Sequence, residues 1–229
     1  MPTAPLHDRN SIVSLLEGVR DFNVRVFPEK QKMFSDLAEG QSPHTLFIAC
    51  ADSRVSPGMI TQQPPGAMFV LRNIGNIVPT YGEMLGGVSA AIEYAVIALG
   101  VKHIIVCGHS DCGAMKALLE PEAHGLDRMP TVASWLRNAE TARAVTAAIH
   151  PHAHGAEAVA ALAEQNVLLQ LDHLRTHPAV AARVAEGRLL LQGWLYDIAT
   201  GAIRVFDGQT RLALTLDEAL SALKGAEPA

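Results

Sequence analysis

Three short apolar runs, the last two separated by a segment of helical character, constrain the fold of this chain more than any other feature. They are TLFIAC at 45–50, MFVLRN at 68–73 and HIIVCG at 103–108. Between the last two lies VSAAIEYAVIALG, opened by Gly86-Gly87 and closed by Gly100, which predicts a helix. Strand–helix–strand order and strands without polar alternation are typical of a parallel sheet covered on both faces. We therefore predict an α/β fold with a mostly parallel central sheet flanked by helices.

The remaining segments complete this picture. A helical N-terminal segment runs from Ser11 to Glu39 and is interrupted at Pro28. Beyond Cys112 the pattern is mostly helical until RLLLQGWLYD and AIRVFDG, two strands joined by a turn at Ala199-Thr200-Gly201. With no repeat or linker in view, we predict one domain over 1–229. It comprises an N-terminal helical arm (1–40), a core with the functional residues (41–115), and helices with sheet completion (116–229).

Composition excludes several classes of protein. The 229 residues are 49 % hydrophobic and 18 % charged, with a formal net charge of -5, so neither nucleic acid nor a membrane is an expected partner. No apolar run is long enough to span a bilayer, and the start MPTAPLHDRN lacks a secretory signal pattern. Three cysteines suit a reducing compartment better than a disulfide framework. We expect a cytoplasmic protein.

Three side chains at strand ends form a candidate metal site. Cys50 ends the first strand, while His109 and Cys112 form an H-x-x-C pair after the third. The carboxyl ends of parallel strands meet at one edge of a sheet, where sites form. Two thiolates and one imidazole suit zinc, and three protein ligands leave the fourth position open, as in catalytic zinc sites.

From the residues alone, other interpretations of the cysteines stay open. A cysteine at a strand end is often a small buried apolar residue. A structural zinc site would need a fourth ligand, and Cys107 is the one spare thiol. It lies two residues before His109, so strand alternation does not exclude it. Because Cys107 sits inside an apolar run, we expect a core cysteine.

Asp52 and Arg54 follow Cys50 closely and carry a second prediction. They could form a surface ion pair of little consequence. Alternatively, Asp52 orients a water on the metal while Arg54 keeps the carboxylate from ligating the metal and closing the site. Asp52 would be a fourth metal ligand only in such a closed form.

The sequence resembles the β-class carbonic anhydrases. CADSRV matches the family's C-x-D-S-R signature and GHSDCGAM its G-H-x-x-C-G signature. MFVLRNIGNIVP, with Arg72-Asn73, is similar to the segment between them, and GWLYDIATGAI continues the match. The likeness is greatest to the bacterial form that accompanies cyanate degradation and to the plant form.

This resemblance implies an activity and a cofactor. Zn²⁺ would be bound by Cys50, His109 and Cys112, with Asp52 and Arg54 as the catalytic dyad. A zinc-bound hydroxide would hydrate CO₂ reversibly to bicarbonate and a proton. The family also implies a homodimer or homotetramer, with the N-terminal arm packed on a neighbouring subunit.

The resemblance further implies a substrate pocket and an open metal site. Phe69, Ile74 and Tyr94 would be apolar walls at a dimer interface, although they could equally be plain core residues. Gln63 is a weaker pocket candidate, because Pro64 stands where many plant forms have their glutamine. Phe47 replaces a tryptophan that helps some bacterial forms adopt the closed site, so we expect Asp52 paired with Arg54.

Two other functions fit the same residues. A carbonyl sulfide or carbon disulfide hydrolase would use the same zinc hydroxide on the same scaffold. A non-catalytic zinc- or bicarbonate-binding protein is the other, and the intact set of ligands and dyad argues against it.

Overall fold

One sheet of six strands organises the part of the chain that the computed structural model describes, residues 8–83 and 86–225. The strands are β1 (Thr45–Cys50), β2 (Met68–Asn73), β3 (His103–His109), β4 (Leu190–Tyr196), β5 (Ile203–Asp207) and β6 (Ala213–Thr215). Their order is β2-β1-β3-β4-β5-β6. The first four pair in parallel and the last two antiparallel. The predicted mostly parallel sheet is confirmed.

Eleven α-helices are described. They are α1 (Asp8–Asp21), α2 (Phe27–Glu29), α3 (Gln31–Ala38), α4 (Pro57–Thr61), α5 (Gly87–Glu93), α6 (Gly113–Leu119), α7 (Pro130–Leu136), α8 (Glu140–Ile149), α9 (Gly155–Thr176), α10 (Pro178–Ala185) and α11 (Leu216–Gly225). Of these, α4 to α11 flank the sheet and α1 to α3 precede it in the chain. Among the described residues, no helix combines the length and the apolar character needed to cross a membrane.

Strand β1 shows why its sequence has no polar alternation. All six of its residues are buried. Leu46 and Ile48 pack in one hydrophobic cluster, whereas Phe47 and Ala49 pack in another. Because successive side chains of a strand point to opposite faces, helices and loops must cover both sides of the sheet here.

The described residues fall into two compact units that divide after Gln41. The first contains α1 to α3, and the rings of Phe22, Phe27 and Phe34 pack together in it with centroid distances of 5.2 to 6.0 Å. The second contains the sheet and all the candidate site residues. The single-domain assignment with its arm stays a prediction.

The structure departs from the sequence pattern in three places. Within the stretch predicted as mostly helical beyond Cys112, a tight turn at Arg137–Ala139 separates α7 from α8. The helix predicted before Gly100 leaves α-geometry after Glu93 and continues as wider π-type turns over Tyr94–Ala98. Strand β6 and helix α11 were not predicted, since three strand residues followed directly by a helix carry little periodicity.

Candidate metal centre

The first and third strands end at the same edge of the sheet. They pair in parallel, with Ala49 opposite Cys107, so Cys50 and His109 emerge side by side. Cys112 follows one short turn later as the residue that caps α6. Topology therefore places all three predicted ligands at the carboxyl ends of neighbouring strands.

The structure brings these ligands together. The sulfur atoms of Cys50 and Cys112 and a ring nitrogen of His109 all lie within 4.8 Å of one another. All three side chains are buried. No other such group of His, Cys, Asp and Glu side chains occurs among residues 8–83 and 86–225.

His109 supports a metal at this point. Its Nδ1 lies 2.8 Å from the carbonyl oxygen of Ser110, which only a protonated nitrogen can satisfy. Nε2 is then an unprotonated acceptor, and it is buried without a hydrogen-bond partner in the described part of the chain. A buried nitrogen lone pair beside two thiols is satisfied by a metal ion.

Backbone amides prepare the two sulfur atoms for negative charge. Amides of Asp52 and Gly75 face Cys50, while those of Met115 and Ala114 face Cys112. The Cys112 thiol donates toward Cys50 and, with the amides, lowers the pKa of Cys50 to about 4. The Cys50 thiolate and burial in turn raise the pKa of Cys112. One thiol is thus ionised readily, and a bound cation would remove the proton from the second.

Asp52 is held beside this cluster by Arg54. The Asp52 carboxylate accepts from Arg54 Nε at 2.9 Å, from its Nη2 at 2.7 Å and from its backbone nitrogen at 3.0 Å. The Arg54 guanidinium holds the pKa of Asp52 well below its usual range. Asp52 Oδ2 lies 3.9 Å from His109 Nε2, so an ionised carboxylate stands next to the ligand cluster.

Arg72 and Asn73 at the end of β2 shape the loop behind Cys50. Arg72 donates from Nε to the carbonyl oxygen of Cys50 at 3.1 Å and from Nη2 to that of Asp52 at 2.6 Å. The Asn73 side chain closes the following turn, because its Nδ2 donates to the carbonyl oxygen of Ile77 and its Oδ1 accepts from the backbone nitrogen of Ile77, each at 2.8 Å. The two residues, quoted above only within a family segment, support the ligand loop directly.

Asp111 and Lys116 were missed by sequence reasoning. Asp111 Oδ2 accepts from Arg54 Nη1 at 3.0 Å, and Lys116 pairs with the other carboxylate oxygen. The available signal was an acidic residue between two predicted metal ligands, followed five residues later by a lysine.

The predicted pocket residues do not form one contiguous group of contacts in the described structure. Phe69 and Tyr94 are in ring contact at 6.0 Å, near the start of β2. Ile74 is 44 % exposed and borders a largely apolar cavity of about 510 Å³ that also touches Ala51. Gln63 is exposed in the loop before β2. Their assignment to a substrate pocket stays a prediction.

Cys107 and Phe47 are both buried in the hydrophobic core. Cys107 is fully buried with Phe47 and Ala49 and does not join the ligand cluster. Phe47 is also fully buried, with its ring edge-on to Trp194 at 5.7 Å. Cys107 is therefore a core cysteine.

The fold and the site define a mostly parallel α/β protein with a buried Cys–His–Cys cluster that could hold a metal ion at its strand ends. Comparisons with known proteins specify the family. The family model "Carbonic anhydrase" matches residues 45–203. The carbonic anhydrase of Pseudomonas aeruginosa is 50 % identical over 89 % of this chain and 91 % of its own length. The structure of the β-carbonic anhydrase CcaA aligns with a TM-score of 0.86 and 40 % identity, covering 90 % of this chain and 92 % of that one. A tetrameric β-carbonic anhydrase of Sordaria macrospora aligns with a TM-score of 0.76 and 32 % identity, covering 90 % and 100 %.

The chain belongs to the β-class carbonic anhydrases. It is an enzyme that hydrates carbon dioxide reversibly to bicarbonate and a proton. The sulfur-substrate hydrolase and the non-catalytic binding protein are not favoured by these relatives.

Proposed function

We propose that Cys50, His109 and Cys112 hold a catalytic Zn²⁺ ion whose fourth position is open. The orphaned Nε2 of buried His109 is the observation that carries this proposal. Two sulfurs and one imidazole nitrogen are a donor set that zinc prefers over magnesium or calcium. Three ligands fit catalytic zinc rather than a closed structural site, and Cys107 lies outside the cluster.

The protein side chains around this position have separable tasks. When bound, zinc lowers the pKa of a coordinated water from about 15.7 toward 7, a value established for carbonic anhydrases with other ligand sets. Asp52 stays ionised and can accept a hydrogen bond at the fourth position, because Arg54 lowers its pKa. Arg54 makes three contacts with Asp52 and so holds the carboxylate 3.9 Å from His109 Nε2.

The open form is supported by the same geometry. Both Asp52 oxygens are bonded by Arg54, so a move onto the metal would break those bonds. Phe47 has no indole N–H with which to support an anion that favours the closed form. Asp52 is therefore a catalytic residue here, and Arg54 positions it.

Carbon dioxide is small and apolar, so its binding needs apolar walls. Ile74 supplies one beside Ala51, where the cavity is largely apolar. Phe69 and Tyr94 form a pair on the edge strand and the helix that follows it, with Tyr94 half exposed. These residues, with Gln63 at lower weight, are proposed as pocket residues that a second subunit completes.

The exposed apolar surface of each unit is the reason for proposing a homodimer or homotetramer. Helix α1 exposes five large apolar residues: Ile12, Val13, Leu15, Leu16 and Val19. In the second unit, the edge strand β2 and its surroundings expose Val70, Ile74, Tyr94 and Ile97. Such surfaces are typical of subunit interfaces, and the Sordaria macrospora relative is tetrameric. The arm at 1–40 is assigned to a partner's surface on this ground.

The thiol chemistry supports a reducing compartment. All three cysteines are free, and two of them are needed as thiolates for the metal. A cytoplasmic location is proposed on that basis.

Stopped-flow CO₂ hydration with a pH indicator tests the proposal, on protein of measured zinc content. Activity at both about pH 7.5 and about pH 9 is expected, proportional to zinc content. Activity confined to alkaline pH contradicts the open form, because it means that Asp52 captures the metal. Zinc bound without hydration at either pH contradicts the catalytic role of the site.

A further inference from the structure

The guanidinium of Arg54 is shared by two carboxylates. On one side it holds Asp52, through Nε and Nη2. On the other, Nη1 donates to Asp111 Oδ2 at 3.0 Å, and Nη2 donates to the Asp111 carbonyl oxygen at 3.2 Å. Arg54 is thereby anchored to the segment that lies between the ligands His109 and Cys112.

Asp111 is itself fixed in place from two directions. Its φ of +58° is in the left-handed region, which Asp and Asn tolerate better than most residues. Lys116, one turn into α6, pairs with Oδ1 and leaves Oδ2 facing Arg54. The chain of charges runs Lys116–Asp111–Arg54–Asp52 and ends at the metal ligands.

The position of Asp52 matters because a carboxylate is also a zinc ligand. Asp52 Oδ2 is already 3.9 Å from His109 Nε2, the atom that would bind the metal. Once the bonds from Arg54 are broken, the carboxylate is close enough to the cluster to compete for the fourth position. Whatever secures Arg54 therefore disfavours this closed state.

We propose that Asp111 is a positioning residue that keeps the metal site open by anchoring Arg54, and through it Asp52. The inference rests on the proposed metal centre and adds to it a residue outside the Asp52–Arg54 pair. Asp111 is not a member of the Cys50–His109–Cys112 cluster and acts through its contacts with Arg54. Losing it lets Asp52 occupy the fourth position in a larger fraction of molecules.

The proposal can be tested through anion binding, because a purely electrostatic effect of removing Asp111 would change the affinity in the opposite direction. Removing a negative charge near the site should strengthen the binding of an anion. A larger closed fraction should weaken it, because the anion needs the open position. Azide is a suitable probe, since it is a small anion that binds a metal directly.

The test is a titration of cobalt(II)-substituted protein with azide at about pH 7.5, followed by visible absorption. Asp111→Asn keeps the backbone conformation and removes the charge, while Asp111→Gly suits the positive φ and removes the acceptor as well. We expect azide to bind about two- to fivefold more weakly to Asp111→Asn, the range set by an exposed ion pair, and more weakly still to Asp111→Gly.

Introducing Asp111→Asn into an Asp52→Asn variant tests whether Asp111 acts through Asp52. An amide is a poor substitute for the carboxylate at the metal, so Asp111→Asn should no longer weaken azide binding there. Glu140→Gln is a matched control, because Glu140 pairs with Arg143 at similar exposure: 50 % and 43 %, against 53 % for Asp111 and 44 % for Arg54.

The outcomes separate this inference from the proposed function. Unchanged or tighter azide binding in Asp111→Asn overturns the role of Asp111, as does a weakening that persists with Asp52→Asn. A wild-type protein that takes up neither zinc nor cobalt overturns the metal centre itself. Metal content and melting temperature, measured for each variant, show that a weaker response does not come from unfolding.

Discussion

Asn166, deep in helix α9, donates from Nδ2 to the carbonyl oxygen of Gly75 over 2.9 Å, with both groups buried. Gln170, one turn later, donates to Asn166 Oδ1 and accepts from the backbone nitrogen of Val78, each at 2.8 Å. The long helix thereby holds the turn after β2, and the amide of Gly75 in that turn faces Cys50.

Replacing Asn166 by Leu is expected to destabilise the protein by about 1–3 kcal/mol for each buried partner it leaves unsatisfied. Those partners are the Gly75 carbonyl and the Gln170 amide. Urea unfolding measures the loss. Thr146→Val is the control, because the buried Thr146 hydroxyl bonds the Ala142 carbonyl oxygen within its own helix. Equal losses in the two variants would show that the link to the turn is unimportant.

Gly193 in β4 allows α9 to approach the sheet. A Cβ there would lie 2.5 Å from Val167 Cγ1, closer than two carbon atoms can come. Gly193→Ala is expected to cost about 1–3 kcal/mol of stability through overpacking. Adding Val167→Ala should recover part of the loss, as measured by thermal or urea unfolding. Gly18→Ala in α1 should be neutral or stabilising, because an added Cβ there would meet no described atom within 4 Å beyond its chain neighbours and its own helix backbone. An additive double variant would contradict the contact argument.

The three cysteines provide a matched set for metal binding. Cys50→Ser and Cys112→Ser should each lose most bound zinc and at least about 100-fold in CO₂ hydration, because a ligand and its charge are removed. Cys107→Ala should keep full zinc content, since Cys107 lies in the core outside the cluster. Zinc measured by atomic absorption, together with stopped-flow rates, checks this. Loss of zinc from the Cys107 variant alone would reverse the ligand assignment.

The buried side chain of His177 is expected to make the free energy of unfolding depend on pH. It is 3 % exposed and its Nε2 donates to the carbonyl oxygen of Pro79 at 3.0 Å. Burial, together with nearby His173, lowers the pKa of His177. A lowered pKa means that the unfolded chain binds the proton first. Stability from this residue is therefore full above about pH 6.5 and falls as the pH drops below that value, by at most about 1.4 kcal/mol per pH unit.

The comparison is with His177→Gln, which keeps an N–H donor but does not titrate. Its free energy of unfolding, measured by urea between about pH 5 and pH 7.5, should fall less steeply with acidity than that of the wild type. Parallel curves for the two proteins would rule out His177 as the source.

The sequence predicted the sheet and the ligand cluster because both depend on local patterns. Apolar runs such as TLFIAC mark buried strands, and ligands placed directly at strand ends must converge in a parallel sheet. The polar residues of α9 were beyond such patterns. Asn166 and Gln170 are buried because they bond a turn some ninety residues earlier in the chain. Asp111 was quoted within a motif, but its link to Arg54 depends on the packing of two loops.

The order of the strands also bears on how this protein emerges from the ribosome. Cys50, His109 and Cys112 are all made before β4, yet the strand that ends in His109 lies between β1 and β4 in the sheet. Its second neighbour, Leu190–Tyr196, follows only after the whole helical stretch from Gly113 to Ala185. Until then one side of β3 is an open apolar strand edge, which invites pairing with other chains. A nascent chain stalled before Leu190 should therefore aggregate, although it already contains all three proposed metal ligands.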